Sequence, residues 1–204
     1  MDSTDALELD VYGLRATVTG GWRDVVDDLR RDFWWFRATR PLLDSHLRLM
    51  VERRAADLGR FGELRSAFVT PRNVVYQDAA RTVVDYFGRA VLVVDRQTGN
   101  ATVEGVDPHL VHEAANNLLI SRIGEHLDAR ALPRLHALGL AGRQGGVAVM
   151  LPSGGGKSTL ALHALEDPGV RLVSEDSPLV DRDGAIHPFP LRVGVNATDA
   201  ERLP

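Results

Sequence analysis

The sequence predicts an α/β fold, with a βαβ core in the second half of the chain and an α+β region before it. The apolar segment 147–151 has the composition of a buried strand and leads into the glycine-rich segment 152–156. A helix-forming segment follows at about 158–165, and the short apolar segment 171–173 is typical of a further strand. Strand, loop, helix and strand in this order indicate a βαβ unit. We expect strand 147–151 to lie at the centre of a sheet that is covered on both faces.

The composition limits the classes of protein to consider. The chain has 204 residues, of which 44% are hydrophobic and 25% charged, and its formal net charge is −4. We place a domain boundary after residue 130, which gives an N-terminal region 1–130 and a second domain 131–204. A nucleic-acid-binding protein usually has a basic balance, so we expect no nucleic-acid partner. The absence of cysteine excludes disulfides and thiolate chemistry. Without a signal sequence or an apolar run of about 18 residues, we predict no membrane association and a cytoplasmic location.

The first half of the chain begins with patterns that predict single elements. Apolar and polar residues alternate over 7–11 and again over 47–51, as in half-buried strands. Between them, segment 24–31 carries apolar residues at helical spacing. The aromatic run 33–36 follows this helix, and we interpret it as core filling. The alternative is a base-stacking platform, which would require basic neighbours on a strand face.

A β-meander followed by a helix is predicted next. The predicted strands are 74–77, 82–86, 90–94 and 101–104. Their connections are short and contain turn residues, so neighbouring strands should pair antiparallel. Asp107 is a good N-cap residue and Pro108 suits the first position of a helix, so a helix should begin there. Gly124 is expected to end or bend this helix.

The glycine-rich segment has the residues of a phosphate-binding loop. Glycines allow backbone N–H groups to turn inward around phosphate groups, and the helix that follows directs its positive N-terminal end at them. In such a loop the lysine, here Lys157, contacts the β- and γ-phosphates, and the hydroxyl of Ser158 binds Mg²⁺. The residues predicted to bind the nucleotide are Ser153, Gly154, Gly155, Gly156, Lys157, Ser158 and Thr159.

One position departs from the loop consensus G-x-x-x-x-G-K-[ST]. The first glycine of the consensus falls on Leu151, which does not easily adopt a positive φ. We therefore expect the strand to continue one residue further before the loop bends. The alternative to a phosphate site is a glycine-rich turn that binds nothing.

Two carboxylates, Glu175 and Asp176, follow the strand predicted at 171–173. In a βαβ unit this end of the strand lies beside the phosphate-binding loop. One carboxylate at this place can hold Mg²⁺, and the other can accept the proton of an attacking hydroxyl. A solvated acidic turn is the alternative. His109 and His112 have the spacing of metal ligands on a helix, although such histidines are more often polar surface residues.

These residues together resemble the C-terminal catalytic domain of HPr kinase/phosphorylase. The resemblance covers about 135–195, and it is closest to the divergent HPr-kinase-like proteins of bacterial biosynthetic clusters, some of which phosphorylate a serine of a ribosomal peptide precursor. It implies that His136 takes the place of the family histidine, near the acidic pair. It also implies that Glu175 and Asp176 take the places of the paired aspartates. One of the two would be the catalytic base, and the other would help to hold the metal with Ser158.

The resemblance implies an ATP-dependent serine kinase, a P-loop phosphotransferase that uses ATP and Mg²⁺ and acts on a protein or peptide. By the same analogy the protein would form a homo-oligomer. The family domain continues well beyond the residues of this chain, so we expect its P-loop kinase-type core to be truncated at the C-terminus. Two alternatives remain: an NTPase without a phosphoacceptor, and a nucleotide-sensing binding module whose N-terminal part recognises a partner.

Overall fold

A computed structural model describes residues 6–40, 42–152 and 154–191. The fold is mixed α/β, with one large mixed sheet and few helices. Two compact units make up the chain, Met1–Ile123 and Gly124–Pro204. Within the described ranges, no helix is both long enough and apolar enough to cross a bilayer.

The first unit is built on one mixed sheet. Its elements are β1 (Leu7–Val11), β2 (Leu14–Gly20), α1 (Arg23–Asp32), β3 (Leu47–Arg53), β4 (Ser66–Val69), β5 (Val74–Gln77), β6 (Arg81–Asp85), β7 (Ala90–Asp95), β8 (Ala101–Gly105) and the beginning of α2 (Pro108–Ala129). The strand order is β1-β2-β3-β8-β7-β6-β5-β4. Strands β2, β3 and β8 are parallel, and all other neighbours pair antiparallel. The predicted antiparallel meander is confirmed for β5 to β8.

The sequence does not predict the β1–β2 hairpin, because its turn uses an unusual residue. Val11 pairs with Leu14, so Tyr12 and Gly13 form a two-residue turn with φ values of 52° and 88°. Such a turn requires a positive φ at both positions, and Asn or Asp usually occupies the first. Burial raises the pKa of the Tyr12 phenol to about 12.

The core of the first unit lies on one face of the sheet. Leu47, Leu49 and Val51 of β3 are buried, whereas Arg48 and Met50 between them are exposed. This alternation is the one that the sequence pattern predicts for a strand with one covered face. The buried face packs with the apolar stripe of α1, whose buried residues are Val25, Val26 and Leu29.

The prediction that the whole aromatic run 33–36 fills the core is wrong. Phe33 is fully buried, but Trp34 is 60% exposed and Trp35 is 87% exposed. The 3₁₀ turn Trp34–Phe36 directly follows α1. Consecutive side chains of such a turn point in different directions, so the run cannot bury all of its rings in one core.

Helix α2 begins as predicted, and it continues past Gly124, where we expected it to end or bend. The Oδ1 atom of Asp107 accepts hydrogen bonds from the N–H groups of His109 and Leu110, at 3.0 and 3.3 Å. These bonds lower the pKa of the Asp107 carboxyl, and the bond from Leu110 has the largest effect. Gly124 lies inside the helix rather than at its end. The Arg134 guanidinium lies 3.0–3.1 Å from the position that a Cβ would occupy at Gly124, so a larger residue there would displace it.

The second unit contains a smaller sheet and one helix beyond α2. Its elements are β9 (Leu138–Gly142), β10 (Gly145–Val149), α3 (Lys157–Leu165), β11 (Arg171–Ser174), β12 (Leu179–Val180) and β13 (Ile186–His187). The described sheet has the order β10-β9-β11, and both outer strands are antiparallel to β9. Strands β10 and β11 are therefore parallel to each other and are joined through α3, in the predicted order of elements.

Among the strands that the structure describes, β10 lies at an edge of this sheet, which contradicts our expectation of a central strand. It ends at Val149, and it therefore does not continue past Leu151 as we expected. Val147 is 52% exposed. A short apolar run fits an edge strand that packs one face on a helix as well as it fits a central strand. Here Val149 of β10 packs against the buried cluster that Leu138 and Leu140 of β9 form with Ala161 of α3.

Candidate functional site

The glycine-rich loop connects β10 to α3 and bends through its glycines. Gly154 and Gly156 have φ values of 74° and 87°, which side chains other than glycine rarely adopt. The N–H of Gly155 donates a hydrogen bond of 2.8 Å to the carbonyl oxygen of Pro152. A Cβ at Gly155 would stand 2.8 Å from that same oxygen, so the tight turn excludes any side chain. Among the described residues no side chain caps the first turn of α3, which leaves its N–H groups directed at the loop.

Lys157, the first residue of α3, reaches back into a polar cluster. Its Nζ atom lies 2.8 Å from Nε2 of His136, 3.4 Å from Oδ1 of Asp176 and 3.5 Å from the carbonyl oxygen of Leu151. The Lys157 side chain is only 12% exposed. Its ammonium group is thus held by an imidazole, a carboxylate and a carbonyl rather than by solvent.

Backbone hydrogen bonds fix His136 beside Asp176. The N–H of Leu135 donates to the carbonyl oxygen of Pro178 at 2.9 Å, and the N–H of Ala137 donates to that of Asp176 at 3.3 Å. Nδ1 of His136 lies 3.1 Å from Oδ1 of Asp176. Since the ammonium group of Lys157 can only donate, Nε2 of His136 is the acceptor, and the ring proton on Nδ1 faces Asp176.

Ser174 shapes the turn that carries the two carboxylates. It is buried at the end of β11, and its hydroxyl accepts a hydrogen bond of 3.1 Å from the N–H of Ser177. Within the turn, Glu175 points at the loop, where its Oε1 accepts a 2.5 Å hydrogen bond from the Ser158 hydroxyl. Ser174 is not among the residues predicted from the sequence. Its signal is a serine three residues before a second serine, with the acidic pair between them.

One cavity joins these groups. It has a volume of about 480 Å³, and its lining residues are His136, Pro152, Gly154, Gly155, Gly156, Lys157, Ser158, Thr159 and Asp176. The predicted residues on the loop and His136 and Asp176 thus meet at one place, and Glu175 joins them through Ser158. Ser153 lies outside the described residues.

The described residues contain no group of three or more His, Cys, Asp and Glu side chains that could hold a metal ion. The metal site suggested by the spacing of His109 and His112 is therefore not supported by the described residues. His112 instead bonds to Asp32 across the first unit, with 2.7 Å between Nε2 and Oδ2. An oxygen pair does exist beside the loop, formed by the Ser158 hydroxyl and the Glu175 carboxylate.

Lys157 is the only lysine in the sequence. The chain has 24 lysines and arginines together, so arginine occupies the other 23 basic positions. A chain that otherwise uses arginine throughout keeps a compact ammonium group at this position, where the planar guanidinium has a different shape and hydrogen-bonding geometry. This contrast is a signal for the site that the glycine motif alone does not give.

Comparison with protein-family models, with curated proteins and with solved structures finds no match to this chain.

Proposed function

We propose that the chain binds a nucleoside triphosphate, ATP with Mg²⁺, at the loop cavity and transfers the γ-phosphoryl group to a serine hydroxyl of a protein or peptide. The observation that carries this proposal is the convergence of Lys157, His136 and Asp176 at the mouth of a glycine loop. A turn that binds nothing would not need a carboxylate and an imidazole packed against its lysine. Resemblance to the HPr-kinase-like proteins supports the same function.

The proposed division of roles follows from the contacts. Asp176, which is half exposed beside the cavity, is the base that accepts the hydroxyl proton of the serine. The serine oxygen forms a bond to the γ-phosphorus, while the bond from that phosphorus to the β–γ bridging oxygen breaks and ADP leaves. His136 orients Asp176 through its Nδ1–H group, and Lys157 balances the charge of the phosphate oxygens.

Ser158 and Glu175 are the residues that fit Mg²⁺. Both offer oxygen ligands next to the loop, and Mg²⁺ typically takes one or two carboxylates together with phosphate oxygens and water. Such an ion would neutralise charge on the transferred group. This assignment leaves Asp176 as the base, because Asp176 contacts His136 and Lys157 whereas Glu175 contacts the loop serine.

The first test is calorimetric binding of Mg²⁺–ATP to the wild type and to Lys157→Ala. Wild-type binding in the micromolar range should weaken by about tenfold or more in the variant, a loss of about 1.4 kcal/mol or more. Arg182→Ala is the matched control, since Arg182 is an exposed cation of the same unit that does not line the cavity. No binding by the wild type would contradict the proposal.

A second measurement uses the single lysine. An amine-selective reagent should modify only Lys157 and the terminal amine, and Mg²⁺–ATP should protect Lys157 as measured by mass spectrometry. Phosphotransfer is then assayed with a peptide library in which each member carries one serine. Binding without a phosphorylated peptide would favour a nucleotide-sensing module, and ATP hydrolysis without one would favour an NTPase.

A further inference from the structure

The segment that follows α1 covers the edge of the large sheet in the first unit. Arg37 forms an isolated antiparallel bridge to Leu9 of β1, and the N–H of Ala38 donates a 2.9 Å hydrogen bond to the carbonyl oxygen of Glu8. The Glu8 carboxylate in turn accepts a hydrogen bond from the N–H of Leu42 at 3.2 Å. The backbone of this segment is therefore fixed on the sheet, and only its outward side chains are available.

Those outward side chains are large and apolar, which is costly to leave in water. Trp34 and Trp35 are mostly exposed, and Leu43 is 100% exposed. Neither tryptophan is needed to anchor the segment, because Phe33 already fills the core beneath it. Isolated exposed apolar residues are ordinary, whereas a short segment that exposes two tryptophans and a leucine is typical of an interaction site.

Two arginines accompany the tryptophans. The Arg37 guanidinium lies over the Trp34 ring, 5.1 Å from its centroid. Arg37, Arg40 and Leu43 line one cavity of about 650 Å³. Among the described residues no carboxylate forms an ion pair with Arg37 or Arg40, whereas Arg15 in the same cavity is paired with Asp44.

We propose that Trp34, Trp35, Arg37, Arg40 and Leu43, the Trp–Arg face, bind a segment of a partner protein in which an acidic residue lies next to an aromatic or aliphatic one. The acidic group would pair with Arg37 and Arg40, which lack a carboxylate partner in the described chain. The apolar side chain would cover the tryptophan rings. Tryptophan and arginine are also the residues that contribute most often to the energy of protein interfaces.

The charges around the face favour a protein over nucleic acid or a membrane. Asp10 and Asp44 line the same cavity as Arg37 and Arg40, so carboxylates lie among the arginines there. A continuous row of phosphates would be repelled by these carboxylates, and so would an anionic lipid surface. A peptide carries only a few charges, of either sign, and can bind so that its acidic groups lie away from these carboxylates.

The test is selection of a random dodecapeptide display library on the full chain, with depletion on the variant Trp35→Ser/Arg40→Gln. Selected peptides should be enriched in an acidic residue beside an apolar one. Measured by fluorescence anisotropy, each should bind the wild type at least about tenfold more tightly than the variant. Phe87→Ser/Arg65→Gln is the control, because it removes an exposed aromatic residue and an arginine outside the face.

Unfolding midpoints establish that every variant is folded before affinities are compared. The proposal is overturned if no peptide is selected, if the peptides are basic, or if the variant binds them as the wild type does. It is also overturned if single-stranded oligothymidylate or phosphatidylserine vesicles bind through these residues and peptides do not. Lys157→Ala should bind the peptides normally, so this result and that of the nucleotide site are independent.

Discussion

In each unit of the chain a carboxylate contacts two basic groups, and these two clusters differ in their access to solvent. In the first unit the Glu104 side chain is fully buried, and it pairs with Arg54 and Arg60. In the second unit the Asp176 side chain is half exposed, and it contacts His136 and Lys157 at a cavity. Similar groups thus serve structure where they are sealed and can serve chemistry where they are open.

The sealed cluster ties a loop to the sheet. Arg60 donates from Nη1 to Glu104 at 2.9 Å, and Arg54 donates from Nε at 3.0 Å. The hydrogen bond that Arg54 donates to Glu104 raises the pKa of the Arg54 guanidinium. All of these contacts are made by Oε2, whereas Oε1 is buried and has no hydrogen-bond partner among the described residues. Because the Glu104 side chain is fully buried, only the Asp176 carboxylate is open to a ligand from solvent.

The largest difference between the units is expected when one glycine in each, Gly20 and Gly155, is replaced by alanine. A Cβ at Gly20 would stand 1.9 Å from the carbonyl oxygen of Val51, so Gly20→Ala must displace backbone between β2 and β3. We expect it to lower the free energy of unfolding by on the order of 3 kcal/mol or more in urea denaturation. A shift of less than about 0.5 kcal/mol would contradict this close packing.

The counterpart, Gly155→Ala, should act on the loop instead. Its Cβ would stand 2.8 Å from the carbonyl oxygen of Pro152 and would change the shape of the glycine-rich loop proposed to bind phosphate. Affinity for Mg²⁺–ATP should fall by about tenfold or more, while the urea midpoint stays close to that of the wild type. Gly184→Ala is a useful reference, because Gly184 has a positive φ and open space around it in the same unit but lies outside the loop.

The next largest difference between the clusters is expected when the charge of each carboxylate, Glu104 and Asp176, is removed. Glu104→Gln should lower the free energy of unfolding by about 1–3 kcal/mol, because a charged hydrogen-bond acceptor is lost from a buried place. Asp176→Asn should change it by less than about 0.5 kcal/mol, since the site is half exposed. Phosphotransfer to the serine peptide should instead fall by about 100-fold or more if Asp176 is the base. Equal stability losses in both variants would remove the contrast between the clusters.

The smallest effect concerns the cap of α2. The pKa of Asp107 is lowered in the folded state, so its stabilising contribution is fully present above the unfolded pKa of about 4. This contribution is lost as the pH falls through the folded pKa. Asp107→Ala should therefore lower the unfolding midpoint slightly at pH 7, and the difference from the wild type should shrink below pH 4. A constant difference over this range would argue against a charged cap.

The sequence predicts those parts of the fold that depend on interactions between residues close together in the chain. The meander β5 to β8 follows from alternation and turn residues, and the cap at Asp107 follows from its side chain. The position of β10 in its sheet does not follow from the sequence, because an apolar run indicates burial but not which strands lie beside it. The Tyr12–Gly13 turn was also hidden, since tyrosine rarely adopts a positive φ.

The site divides in the same way. The spacing of the glycines, Lys157 and the acidic pair indicates which residues should meet, because strand ends in a βαβ unit share one edge. The contact between Lys157 and His136 was not predictable, since it depends on the backbone hydrogen bonds that join segments 135–137 and 176–178. The exposure of Trp34 and Trp35 depends likewise on a turn whose direction the aromatic composition does not encode.

If an anion binds at Lys157 as proposed, it must exchange places with groups that already contact the ammonium group. An incoming ligand does not find a cation surrounded by water; it must replace an imidazole nitrogen and a carboxylate oxygen that already solvate the ammonium group. A weakly charged anion gains little from that replacement, whereas one with several negative oxygens in reach gains much more. The resting contacts would therefore act as a threshold, which selects ligands by the amount of charge that they bring rather than by shape alone.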